Sequence, residues 1–204
     1  MTARYPIPAA ETRVETWVMN SRFICTVAET RSVEDALRFI RRIKAELDDA
    51  SSHAYAYRVG FGSSVIDGCS DGGEPSGTAG RPMLAVLQGS GLGDVAAVVS
   101  RYFGGIKLGT GGLVRAFSGA LRATLDVLPR AERIERRRFL LEVPYPLYER
   151  VKRSIAARSD VVLDGEHFGA SVSLSLIIAA DSADDFRRML SDLSAGQLVL
   201  TSAD

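Results

Sequence analysis

The sequence predicts an α+β protein of two domains, and three observations carry that reading. Strands and helices alternate along the chain rather than segregating. Two glycine-rich segments, 60–80 and 104–112, interrupt its first part. After Pro129 the composition turns abruptly into Arg130-Ala-Glu-Arg-Ile-Glu-Arg-Arg-Arg138. Beyond that run the order is strand, helix, strand, strand, helix, strand, the split βαβ or ferredoxin-like plan. The domains are therefore expected at 1–129 and 130–204.

In order along the chain, Thr12 to Met19 and Phe23 to Ala28 are rich in β-branched and aromatic residues and predict two strands or one bent strand. Ser32 is a helix N-cap, Glu34 and Asp35 suit the first turn, and Val33, Ala36, Leu37, Ile40, Ile43 and Leu47 recur at helical spacing. His53 to Val59 alternates as a strand does, and 60–80 reads as a long loop with room for a short strand. Pro82 suits the first turn of a helix through Leu87. Val95 to Phe103 is an apolar strand ending at Gly104-Gly105, and Leu113, Ala116, Phe117, Ala120, Leu121, Thr124, Leu125 and Leu128 mark a helix that stops before Pro129. The arginine run reads as a solvated linker or an exposed edge strand. Then come a strand at Phe139 to Val143, a helix through Leu147, Val151 and Ile155, and a strand at Val161 to Leu163. A turn at Asp164-Gly165 leads to a strand from Val172 to Ile178. A helix started by Ser182, Asp184 and Asp185 and a last strand at Leu198 to Leu200 complete the order.

The 204 residues are 46% hydrophobic and 25% charged, enough for a sizeable core. The 25 basic and 25 acidic residues cancel, so net charge gives no reason to expect nucleic-acid or membrane attraction, and any such patch must be local. Cys25 and Cys69 have neither metal-ligand nor CxxC spacing and read as reduced. No stretch approaches the ~20 apolar residues that span a bilayer, and the N-terminus lacks the apolar core of a signal peptide. A cytoplasmic protein with no membrane partner is expected, as monomer or homodimer, with neither cofactor nor metal.

Two segments can carry chemistry. The first is Ser70-Asp-Gly-Gly-Glu-Pro-Ser-Gly-Thr-Ala-Gly-Arg-Pro-Met83. Its glycines permit close backbone approach, Ser76 and Thr78 can donate, Arg81 adds charge, and the following helix start offers free amides to an anion. The competing reading makes it a tight connection in which Asp71 and Glu74 accept from loop amides and Thr78 caps the helix. The second is Arg101-Tyr-Phe-Gly-Gly-Ile-Lys-Leu-Gly-Thr-Gly-Gly-Leu-Val-Arg115, inside an acid-free stretch that carries Arg101, Lys107, Arg115 and Arg122. Gly104, Gly105 and Gly109 around Lys107 suit a backbone anion nest, and Tyr102 or Phe103 a stacking platform. Alternatively the aromatics finish a buried strand while Arg101 and Arg115 pair with Asp71 and Glu74. No Walker A loop or GxSxG elbow is present, and His53 and His167 alone do not make a His-based triad or multi-histidine metal site. His53 reads as a hydrogen-bonded strand residue.

Ser21-Arg-Phe-Ile-Cys-Thr-Val-Ala-Glu-Thr30 and these two segments, in this order, resemble the YigZ/IMPACT family over roughly residues 17–128. The resemblance implies a first domain similar to ribosomal protein S5 domain 2 and a second akin to the last domain of elongation factor G. Eukaryotic members regulate translation through an additional N-terminal partner-binding domain, for which this chain is expected to lack room, so that pathway is not transferred. For bacterial members the resemblance implies binding to nucleic acid or the translation apparatus, here RNA or a ribosome-associated component; a separate reading makes the second domain a module that docks a protein partner. It aligns Asp71, Glu74, Ser76, Thr78 and Arg81 with the first signature and Arg101, Tyr102, Gly104, Gly105, Lys107, Gly109 and Arg115 with the second. Two departures, Gly72 where a second acid is usual and Ser51-Ser52-His53-Ala54 without the common Cys, argue against metal or acid catalysis. A non-enzymatic binding protein is the leading expectation. A nucleotide- or phosphate-binding enzyme using the same loops is the alternative, with Glu74 or Asp71 as base or Mg²⁺ ligand.

Overall fold

A computed structural model describes residues 4–203. It has two compact units that divide between Arg133 and Ile134, inside the arginine-rich run, with Arg4 grouped with the second.

The first unit contains β1 (Arg4–Pro8), β2 (Thr12–Val18), β3 (Ser21–Glu29), α1 (Val33–Glu46), β4 (Ser52–Val59), β5 (Ile66–Ser70), α2 (Gly80–Gly89), β6 (Val95–Tyr102) and α3 (Gly109–Val127). Strands β2-β3-β6-β4-β5 form one antiparallel sheet. Because side chains alternate across a sheet, Phe23, Cys25, Val27, Val95, Ala97 and Val99 face α2 and α3, while Ala28, Ala96 and Val98 face α1. The N-terminus of α1 is built as expected: Ser32 Oγ accepts from the Asp35 amide at 3.1 Å and Asp35 Oδ2 accepts from the Arg31 amide. Of its apolar positions, Ala36, Ile40 and Ile43 are buried, but Leu37 is exposed.

After β7 (Arg130–Ile134), whose first four residues belong to the first unit, the second unit contains β8 (Arg136–Val143), α4 (Tyr145–Ala156), β9 (Val161–Phe168), β10 (Val172–Ala179), α5 (Ala183–Ser194) and β11 (Leu200–Ser202). Its antiparallel sheet runs β11-β8-β10-β9, and Val151, Ile155, Phe186 and Leu190 of the two helices pack on Leu141, Leu174, Leu176 and Ile178.

Of the two forms expected for the arginine run, linker or exposed edge strand, the structure has the strand: the run is β7 and the start of β8, and β7 pairs with β1, a strand that Pro6 and Pro8 concealed. Three expectations are corrected. Asp164-Gly165 is not a turn: it lies within β9, where a register shift at Ser175/Leu176 absorbs the irregularity. Ser182 does not cap α5 through its side chain. The last strand begins at Leu200, while Leu198 is packed into the core.

Candidate functional site

Strand pairing places Phe23 opposite Arg101, and Arg101 opposite Ser52, in one row on the α2/α3 face of the sheet. The loop after β5 brings Glu74 onto that row. Arg101 Nη1 donates to both Glu74 oxygens, at 3.0 and 2.9 Å, and Ser52 Oγ donates to Glu74 Oε1 at 2.6 Å. The two charged side chains are only 8% and 6% exposed. The guanidinium also sits 5.6 Å from the Phe23 ring centre and 5.4 Å from that of Phe103, distances suited to cation–π attraction. Arg101 Nε is buried with no hydrogen-bond partner among the described residues. This is the pairing that the competing reading foresaw for Arg101, and it leaves that side chain neutralised.

Asp71 also has structural partners. Its carboxylate accepts from the amides of Gly77 (2.8 Å), Ala79 (2.9 Å) and Gly80 (2.8 Å) and so caps the start of α2. Burial opposes its charge, but the three amides and the nearby Arg81 prevail, and its pKa lies below the usual carboxylate range. Thr78 is buried and does not cap α2: its hydroxyl donates to the Pro75 carbonyl at 2.7 Å. Gly80 is required here, since a Cβ would lie 2.6 Å from the Ser70 carbonyl carbon.

Both signatures wall one cleft of about 370 Å³, lined by Glu74, Pro75, Arg101, Phe103, Lys107, Leu108, Gly109, Thr110 and Leu113. Gly109 and Thr110 open α3 and line the cleft, and the cap residue Leu108 offers no side-chain acceptor to the first amides of the helix. Lys107 is exposed and forms no ion pair among the described residues. Gly109 adopts φ +70° and Gly105 φ +87°, which suit glycine at both bends.

Of the predicted site residues, Glu74, Arg101, Lys107 and Gly109 line this cleft. Ser76, Arg81 and Arg115 are exposed outside its lining. Gly104 packs against the backbone of Asn20 and Ser21. Tyr102 is on the opposite face of the sheet, its hydroxyl donating to Asp49 at 2.6 Å and its ring 4.3 Å from the Arg22 guanidinium. Its pKa is raised, first by that bond to Asp49. His53 Nδ1 pairs with Ser100 Oγ at 2.8 Å, and its pKa is lowered by burial and then by Lys44. Among the described residues no three His, Cys, Asp or Glu cluster as a metal site requires, and no helix is long and apolar enough to cross a membrane. Sequence reasoning missed Ser52 as the third member of the Arg101–Glu74 cluster; its opposition to Arg101 depends on register.

A two-unit α+β chain whose glycine segments close over a buried Arg–Glu pair is the class that fold and site define. Family comparison makes it specific: the Impact N-terminal domain matches residues 19–125 and a domain of unknown function, DUF1949, matches 141–197. The chain belongs to the IMPACT family. It is 38% identical over 199 residues to an IMPACT family member of Haemophilus influenzae, covering 97% of this chain and 96% of that protein. It is also 38% identical over 199 residues to the IMPACT family member YigZ of Escherichia coli, covering 97% of both. A solved structure described as that of a hypothetical protein overlays with a TM-score of 0.69 at 36% identity, covering 100% of this chain and 99% of the other. The two-domain translational regulator Yih1 overlays with a TM-score of 0.38 at 18% identity, covering 62% and 47%.

Proposed function

We propose that the chain is a non-enzymatic, translation-associated binding protein of the cytoplasm that holds RNA, free or on a ribosome-associated particle, at the cleft between the two glycine segments. The observation carrying this is the unpaired Lys107 beside the uncapped start of α3, in a hollow whose other cation, Arg101, is already neutralised. Phosphate oxygens suit free amides at a helix start and an unpaired ammonium. Arg81 and Arg115, both exposed and free of ion pairs among the described residues, extend the cationic surface. We further read the first unit as S5 domain 2-like. The second is read as ferredoxin-like, from its element order and its β11-β8-β10-β9 sheet, and as the unit that docks a protein partner.

Fluorescence anisotropy with a labelled RNA oligonucleotide tests the reading. Binding at low salt is expected to weaken on Lys107→Ala and on Arg115→Ala. With three exposed cations, Arg81, Lys107 and Arg115, log K is expected to fall against log salt with a slope of about −2 for a single strand. No binding at low salt, or binding indifferent to both substitutions, overturns it. The cleft volume also lies in the range of small-ligand sites, which favours a mononucleotide or sugar phosphate as the second reading. That ligand would raise the melting temperature in a thermal-shift screen by mass action.

A further inference from the structure

The opposite side of the same sheet end has a second hollow, of about 320 Å³, lined by Trp17, Asn20, Arg22, Asp49, Tyr102 and Phe103. Pairing of Trp17 with Arg22, and of Arg22 with Tyr102, puts these three side chains in one row across β2, β3 and β6. Phe103 is common to this hollow and to the anion cleft, so it forms the rim between them. We infer that this second hollow is a nucleobase subsite, and that the RNA held by the first unit is single-stranded, its backbone at Lys107 and an unstacked base against Trp17 and Phe103.

Four features fit that occupant. Trp17 and Phe103 are 63% and 49% exposed, large costs in apolar surface for rings with no ligand. The indole is held in place, its Nε1–H donating to Glu15 at 2.8 Å, so it is presented rather than left loose. Arg22, paired with Glu15 at 3.8 Å, lies over the Tyr102 ring at 4.3 Å and sets a guanidinium plane in the hollow, a surface on which bases stack. The amide of Asn20 and the carboxylate of Asp49 supply the donor and acceptor groups that a base edge requires. A duplex keeps its bases stacked and paired and offers none to such a hollow. Charge complementarity favours a nucleic acid over an apolar protein segment: the adjoining cleft presents Lys107 and the α3 amides, which a phosphate chain satisfies and an apolar peptide does not.

This inference rests on the RNA reading of the cleft, and the test separates the two. The chain has a single tryptophan, so its fluorescence reports the subsite directly. Titrating the full chain at low salt with a single-stranded RNA decamer is expected to quench Trp17, whereas a blunt duplex of equal length leaves the emission unchanged and binds more weakly. By anisotropy, Trp17→Ala and Phe103→Ala are expected to weaken single-strand binding by roughly 5- to 150-fold each, the range for loss of one base stack, and Trp17→Phe to restore most of it. If Lys107→Ala weakens RNA binding but neither aromatic substitution does, or if duplex binds as tightly as single strand, the nucleobase subsite is refuted while the anion cleft stands. If Lys107→Ala has no effect and the aromatic variants do, the cleft reading fails. Loss of a protein partner, with no RNA quenching, assigns the patch to protein docking and overturns the inference.

Discussion

Replacing Glu74 by Gln tests whether the buried Arg101–Glu74 pair is a strut of the site. The substitution removes the charge that both Arg101 Nη1 contacts and the Ser52 hydroxyl address, and leaves a guanidinium that is 8% exposed without a counterion. Breaking a buried pair from one side costs about 3–5 kcal/mol, because the remaining charge stays desolvated. Arg101 Nε already lacks a partner, so little alternative bonding is in reach. For a unit of this size each kcal/mol moves the melting midpoint by roughly 3–5 °C, and a fall of about 10–20 °C in differential scanning calorimetry is expected. Arg101→Met alone strands the carboxylate and is expected to cost a similar amount. The double variant Glu74→Gln/Arg101→Met carries no buried charge and is expected to be more stable than either single variant, since apolar replacement of a whole pair is often neutral. A midpoint drop below about 3 °C for Glu74→Gln, or a double variant whose loss equals the sum of the singles, refutes the assignment.

The glycines separate by what surrounds them. A Cβ on Gly104 would lie 2.1 Å from the carbonyl carbon and oxygen of Asn20, so Gly104→Ala must push two backbones apart, and a loss of about 3 kcal/mol or more in chemical denaturation is expected. Gly119, inside α3, has open space at its Cβ position and no positive φ, so Gly119→Ala is expected to stabilise by about 0.5–1 kcal/mol in the same assay. In the second unit the Arg158 guanidinium holds the Asp160 carboxyl down to about 2, from an ordinary 3.8, with a side chain 16% exposed. A depressed carboxyl stabilises the fold fully above its ordinary pKa and loses that contribution as pH falls towards 2. Asp160→Asn is therefore expected to cost about 2 kcal/mol at pH 7 and nearly nothing at pH 2, read by urea titration at both values. An equal cost at both pH values removes the ion pair as the cause.

Periodicity made much of this architecture legible. The capped, amphipathic α1, the apolar β6 and the long α3 all follow from spacing and end residues that act within one element. What spacing did not carry depends on partners far along the chain. Tyr102 reads as a neighbour of Arg101 and Phe103, but alternation turns it to the other face of the sheet, where its bond to Asp49 and its contact with Arg22 anchor it. Trp17 has no reason in sequence to join it, since that requires the β2–β3–β6 register. Asp71 and Glu74 are both acids of one glycine loop, yet one caps α2 and the other crosses to β6, a difference set by loop conformation. Asp94 was likewise silent. It is buried at φ +47°, and accepts from Tyr5, the Gly60 amide and Arg133, joining three segments that no local pattern links.

The cluster of arginines and lysine in the second signature looks like a uniformly cationic surface, but its charges are put to different uses. Arg101 is matched by Glu74 inside the protein, so it contributes rigidity to the cleft floor and little field to its mouth. Lys107 lies on the glycine bend outside that network, where the ammonium reaches solvent. Gly104, lacking a side chain, lets this bend pack directly on Asn20 and Ser21, and the Ser21 hydroxyl accepts from the Gly104 amide at 3.2 Å. That contact fixes Phe103 between the cleft and the Trp17 hollow, because the residue on either side of it is held: Tyr102 by Asp49 and Gly104 by Ser21. A chain of zero net charge thus sets the exposed Lys107 beside aromatic rings whose neighbours are held in place. Under the proposed RNA reading, position rather than total charge governs which anion is held.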